Sequence, residues 1–138
     1  MNRCVVLDAG ALSALAGQPK RRSLEVRAAL RAAVRLRREV VIPSVILAEL
    51  YRGPRHNALV DACLSSETGI RVRDTDRPLA RLVGGVLAAA RVGSEHLADA
   101  HVIAAAVELG GGLALTTDTE DLGRLAAAYG NVMVIGLP

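Results

Sequence analysis

The chain has 138 residues, 51% of them hydrophobic, a size and apolar content that suit a single domain with its own core. Only Tyr51 and Tyr129 are aromatic, so the core must be built from Ala, Val, Leu and Ile, and base stacking on aromatic platforms is nearly excluded. The net charge of +3 divides unevenly: residues 1–60 carry 11 Lys and Arg against 4 Asp and Glu (+7), residues 61–138 carry 6 against 10 (−4), which predicts a polyanion-facing surface beside a site that concentrates carboxylates.

Apolar runs fall short of the roughly 18–20 residues that span a bilayer. Asp8 interrupts the one stretch that resembles a leader, so a soluble, cytoplasmic protein is expected. Cys4 and Cys63 are too few for a disulfide framework and lack metal-site spacing.

Taken in order, Val5–Leu7 is an apolar, β-branched run that predicts a buried strand ending on Asp8. A short helix over Ala11–Ala16 should end at Gly17 and Pro19, and Lys20-Arg21-Arg22 reads as a basic turn. Ser23 is expected to cap a helix of about 15 residues whose Arg27, Arg31, Arg35 and Arg38 form one basic ridge. Val40–Ile42 predicts a second strand closed by Pro43, and Ser44 a cap for a helix over Val45–Arg52 that Gly53-Pro54 stops. Asn57–Ser66 reads as helix and Ile70–Arg73, alternating apolar and basic, as an edge strand. Thr75 or Asp76 should open a helix from about Pro78 to Arg91, and Ser94 should cap one over Glu95–Leu109, stopped by Gly110-Gly111-Gly112. Leu113–Leu115, Glu120–Ala128 and Val132–Ile135 then read as strand, helix and strand. This alternation predicts an α/β fold, a parallel sheet of about five strands covered by helices on both faces.

The acids carry the chemistry. Asp8 ends the first strand, where open α/β sheets bind ligands. Glu49 lies in Leu47-Ala48-Glu49-Leu50 and Asp99 in Leu97-Ala98-Asp99-Ala100, helical settings in which an acid faces apolar neighbours. Asp118 follows the fourth strand and Asp121 comes one turn later. A carboxylate turned toward a core is costly unless paired or bound to a cation, and no Lys or Arg lies in these segments. Helix caps explain Asp8 and Asp118 separately. Convergence of the acids at one end of the sheet would instead suit an oxygen-ligated Mg²⁺ or Mn²⁺ and metal-assisted phosphodiester hydrolysis.

The order of these acids resembles the PIN-domain nucleases, and within them the VapC toxins of toxin–antitoxin pairs. The resemblance rests on Leu7-Asp8-Ala9-Gly10-Ala11-Leu12, on Leu47-Ala48-Glu49-Leu50, on Asp99-Ala100-His101-Val102-Ile103-Ala104-Ala105-Ala106, and on Thr116-Thr117-Asp118-Thr119-Glu120-Asp121-Leu122, and it covers nearly the whole chain. It implies a PIN-like three-layer sandwich and a Mg²⁺-dependent endoribonuclease, with Mn²⁺ a substitute. It further implies that Asp8 and Asp99 ligate the metal directly, that Glu49 and Asp118 complete the cluster, and that Asp121 assists a second ion or orients the others. Thr116 is then a hydrogen-bonding partner of a carboxylate or a substrate phosphate.

His101 departs from the apolar residue usual at its position, and two helix positions from Asp99 it should point away from the metal. Glu95 reads as a first-turn acid favoured by the helix dipole. His96, without a second His or Cys at ligand spacing, reads as an exposed or capping residue.

The implied partners are an RNA substrate, a VapB-type antitoxin and a second copy of the chain, with the helix around Leu79–Ala90 offered either to a homodimer or to the core. Lys20, Arg21, Arg22, Arg27 and Arg31 are candidate phosphate contacts, the other reading being a solvated face. A non-catalytic PIN-like module that binds RNA or protein is the alternative. A small-molecule phosphohydrolase of the Asp-x-Asp type is disfavoured because Gly10 stands where the second Asp would be.

Overall fold

The computed structural model of the chain describes residues 3–17, 21–67 and 69–137; Pro19 and Lys20, which bear on the first helix end and the basic turn, lie outside them. In chain order the elements are β1 (Cys4–Leu7), α1 (Ala9–Ala16), α2 (Arg21–Arg35), β2 (Glu39–Pro43), α3 (Ser44–Leu50), α4 (Pro54–Ser66), β3 (Ile70–Arg73) and α5 (Arg77–Ala90). A 3₁₀ turn (Ser94–His96), α6 (Leu97–Glu108), β4 (Gly112–Thr116), α7 (Thr119–Ala126) and β5 (Val132–Gly136) complete the chain.

The five strands form one parallel sheet in the order β3-β2-β1-β4-β5. β1 and most of β2 are buried along their length, which is why they read as unbroken apolar runs rather than as alternation. Chain direction along the sheet reverses once, between the β1–β2–β3 half and the β4–β5 half. Right-handed crossovers therefore put α1–α4 on one face and α5–α7 on the other, and the observed packing agrees: α1 touches α2, α3 and α4, while α6 touches α5 and α7. β3 is the edge strand that its alternation predicts.

Small residues set the spacing of the layers. α6 is buried from Ala100 through Ala106, all but three of those positions being Ala, and packs on β1, β2 and β4. A helix buried on every side cannot be amphipathic, and its small side chains let the backbone approach the sheet closely. Gly112 does the same for the sheet itself. It is paired with Cys4, and a Cβ there would collide with the Cys4 carbonyl oxygen and thiol.

The sequence places several helix starts out of register. Ser23 is buried inside the first turns of α2 rather than capping it. Ser44 is the first residue of α3, behind an extended Pro43 that itself belongs to β2. Ser94 opens the 3₁₀ turn, and α6 starts at Leu97 with His96 in the cap position. Gly53, at φ 107°, opens α4 at Pro54, three residues before the expected start, and α3 has already ended at Tyr51. Serine tolerates the whole first turn of a helix as well as its cap, so it marks a helix start only to within a few residues. Asp76 does cap α5, accepting from the Leu79 N–H at 3.0 Å. Arg73, at the end of β3, is held by Glu108 at 2.8 and 2.9 Å and by Asp76 at 3.0 Å, tying the sheet edge to α5 and α6.

Gly112→Ala should destabilise the fold by about 2 kcal/mol, the cost of forcing a methyl group into a filled site. Gly84→Ala, on an exposed helix position with open space around it, should stabilise by about 0.5–1 kcal/mol. Urea midpoints moving in these opposite directions at constant slope would bear this out.

Candidate metal centre

β1 lies where the direction of the sheet reverses, so the crevice between the ends of β1 and β4 is the topological switch point of the fold. Asp8 leaves β1 there and Asp118 follows β4. Both are helix caps, as their sequence settings allow. One Asp8 carboxylate oxygen accepts from the Ala11 N–H at 2.8 Å, and one from Asp118 accepts from the Glu120 N–H at 3.1 Å. The cap fixes each side chain at the sheet edge, so capping and clustering are compatible. Gly10 lies so close to Thr117 that a Cβ would overlap its hydroxyl, which keeps the start of α1 against the β4–α7 loop.

Thr116 is fully buried at the end of β4. Its hydroxyl accepts from the Asp118 N–H at 2.8 Å and lies 3.0 Å from the Asp118 carbonyl, and it also steadies the ionised form of Asp8. Asp8 is 7% exposed. Burial pushes its carboxyl up; the Thr116 hydroxyl and the Ala11 and Gly10 N–H groups oppose that, and the Asp118 charge adds to it.

Asp99 sits in the first turn of α6, partly buried. Its carboxyl is pushed up to about 6, first by burial and then by the charges of Asp8, Glu49 and Asp121, with His96 pulling the other way. Acids from three other segments thus act on one carboxylate. Glu49 differs from its expected setting. Its flanking residues suggest a core-facing acid, yet α3 turns Ile46 and Leu47 inward and leaves Glu49 exposed. Asp118 is also exposed and Asp121 partly so. None of these five acids is ion-paired to a Lys or Arg among the described residues. Carboxylates gathered this way, three of them partly or wholly buried and none paired with a Lys or Arg among the described residues, fit a hard divalent cation ligated by oxygen.

His96, expected to be exposed or capping, is partly buried at the cap position of α6 and makes no side-chain cap bond. One donor atom each from His96, Asp99 and Asp121 lie within 4.8 Å of one another. A signal for it existed: three positions before Asp99 on the same helical run is the same face. His101 behaves as expected, buried with Nδ1 2.7 Å from the Leu97 carbonyl. Glu95 is exposed, 3.9 Å from His96.

The basic candidates lie apart from this cluster in the chain, on α2. Arg21 faces Glu25 at 3.4 Å, and Arg22 and Arg31 are exposed. Arg27 is not a free member of a ridge: it pairs with Glu67 at the end of α4 and reaches the Leu15 carbonyl. Arg27, Arg31 and Arg35 line one open hollow with Leu30, Val34 and Glu67.

Two solved structures share this architecture. One, described as the crystal structure of VapBC2 from Rickettsia felis bound to a DNA fragment from their promoter, aligns at a TM-score of 0.66 and 14% identity over 98% of this chain and 99% of that one. The other, a toxin–antitoxin complex from Klebsiella pneumoniae, aligns at 0.62 and 16% identity over 94% and 95%. No curated protein sequence is significantly similar. At such identities the structural matches speak for the fold alone. The sequence itself matches the PIN domain model over residues 5–128, a span that contains all five acids; the protein belongs to the PIN domain family.

Proposed function

We propose that this chain is a VapC-type toxin, an endoribonuclease that hydrolyses RNA phosphodiester bonds with Mg²⁺, or Mn²⁺ in its place, and is neutralised by a VapB-type antitoxin. The observation that carries the reading is the convergence of Asp8, Glu49 and Asp121 on a half-buried Asp99 that has no Lys or Arg partner among the described residues. A non-catalytic binding module would gain nothing from holding acids together at that electrostatic cost.

In this reading Asp8 and Asp99 hold the cation directly, and Glu49 and Asp118 complete its surroundings, with Asp121 beside them. When bound, the cation activates a water and neutralises the charge that develops on the phosphate. Thr116 and the first N–H groups of α1 oppose the upward push of burial on the Asp8 carboxyl, and the Ala11 N–H fixes one of its oxygens. Arg21, Arg22 and Arg31 are candidate contacts to RNA phosphates, setting position rather than sequence; Arg27 contributes less, being neutralised by Glu67.

Both structural neighbours are described as toxin–antitoxin assemblies, which supports an antitoxin partner. An open groove of about 300 Å³ between α1, α3 and α4, walled by Ala16, Leu50, Leu59 and Val60 with Glu49 at its edge, offers an apolar seat for one. A homodimer through α5 would use the face left over by the core. Leu79, Val83 and Val86 are buried in the monomer, and Ala80, Gly84 and Ala88 are exposed.

Total RNA should be cut by the wild type with Mg²⁺ and left intact in EDTA, and Asp8→Asn or Asp99→Asn should lower the rate by on the order of 10³-fold, as loss of a principal charge-stabilising group does. A folded wild-type protein, free of antitoxin, that cuts nothing with Mg²⁺ or Mn²⁺ would sink the nuclease reading.

The metal-free protein should also show the cost of the cluster. The Asp99 carboxyl titrates at about 6 in the fold against 3.8 ordinarily, so the folded state holds the proton more tightly and stability falls as pH rises from about 4 to above 6. Asp99→Asn should flatten that dependence and raise the metal-free melting temperature at pH 7.5 by about 4 °C. Saturating Mg²⁺ should stabilise the wild type but not this variant.

A further inference from the structure

We propose that His96 is a metal ligand, supplying the nitrogen donor that, with Asp99 and Asp121, makes this centre select Mn²⁺ over Mg²⁺. The inference rests on the metal-centre reading above and deepens it. The three side chains come from two packed elements: His96 stands at the cap position of α6, Asp99 lies one helical turn later on it, and Asp121 arrives from the neighbouring α7. Their donor atoms lie within 4.8 Å of one another. Donors sharing one cation at about 2.0–2.2 Å are about 3 Å apart when adjacent and about 4.4 Å apart when opposite, so the group is of a size that side-chain rotation can draw onto one ion.

His96 is held for this role rather than for capping. It occupies the cap position of α6, yet its side chain makes no cap hydrogen bond, and only 17% of that side chain is exposed. Outside the group it faces the Glu95 carboxylate across 3.9 Å, beyond hydrogen-bond reach. Asp99 also feels the charges of Asp8 and Glu49, so this group lies beside the acids assigned to the cation above. The two histidines elsewhere do not compete, since His101 is tied to the Leu97 carbonyl and His56 is exposed on α4.

The chemistry of the donor set then decides the ion. Mg²⁺ takes oxygen ligands and keeps its waters, and gains little from an imidazole. First-row transition ions gain from nitrogen ligation, so one histidine among carboxylates raises the affinity for Mn²⁺ while leaving that for Mg²⁺ nearly unchanged.

The test is pulsed electron paramagnetic resonance of the full chain loaded with Mn²⁺, together with calorimetric titration of Mn²⁺ and of Mg²⁺, neither of which needs RNA. Wild type should show modulation from a directly bound imidazole nitrogen, and His96→Gln should lose it while His56 and His101 are still present. The same variant should bind Mn²⁺ about tenfold more weakly and Mg²⁺ within about twofold of wild type. The wild-type spectrum decides the matter even if the variant folds poorly. Mn²⁺ bound in an Asp99-dependent way without nitrogen modulation, or equal losses for both ions in His96→Gln, would overturn the role of His96 and leave the metal centre standing. A chain that binds neither ion would overturn both.

Discussion

The constraint on which the structure depends is electrostatic: carboxylates are brought together at the end of a sheet, partly out of water, with no Lys or Arg among the described residues paired to them. Left alone they would spread apart or take up protons. The fold resists both by fixing each acid from its own segment. Asp8 and Asp118 are pinned as helix caps, Asp99 projects from a helix buried in the centre of the molecule, and Asp121 follows one turn into α7. The stability that the cluster costs must come from packing elsewhere, and the densely filled aliphatic core is where it comes from.

That core explains how positional accuracy is reached without aromatic anchors. Ala along α6 and Gly at positions 10 and 112 bring backbones to the closest distance they can adopt. Backbone contacts of this kind have little freedom to shift, so the acids at their ends inherit defined positions. The Arg73 network acts in the same sense at the far edge, where β3 has a neighbour on one side only and would otherwise be the loosest strand.

Most of the fold was legible because each layer imposes its own period. Doubly buried strands give unbroken Val and Ile, the edge strand gives alternation, and Gly and Pro mark the ends. Asp8, Asp99, Asp118 and Asp121 stood out because a carboxylate at a strand end or in an apolar helix needs a reason. Where the reading slipped, the information was not local. Ser23, Ser44 and Ser94 are equally at home at a cap or one turn in. Glu49 has the same neighbours as a core-facing acid, and only the tilt of α3 exposes it. Arg27 looked like part of a solvated ridge because its partner, Glu67, is on another helix. His96 was weighed against other histidines and cysteines, whereas its companions are carboxylates, one of them on α7.

The sheet order has a consequence for synthesis of the chain. β1 is made first yet lies at the centre, and its partner β4 is about a hundred residues away in sequence. The acids are spread between Asp8 and Asp121, so no stretch that lacks either the first strand or the start of α7 contains them all. Pairing over that separation is slow and comes late in folding. The cluster can form only once β4 and the start of α7 are available to pack beside β1, so its assembly is coupled to completion of the sheet rather than to the folding of any one segment.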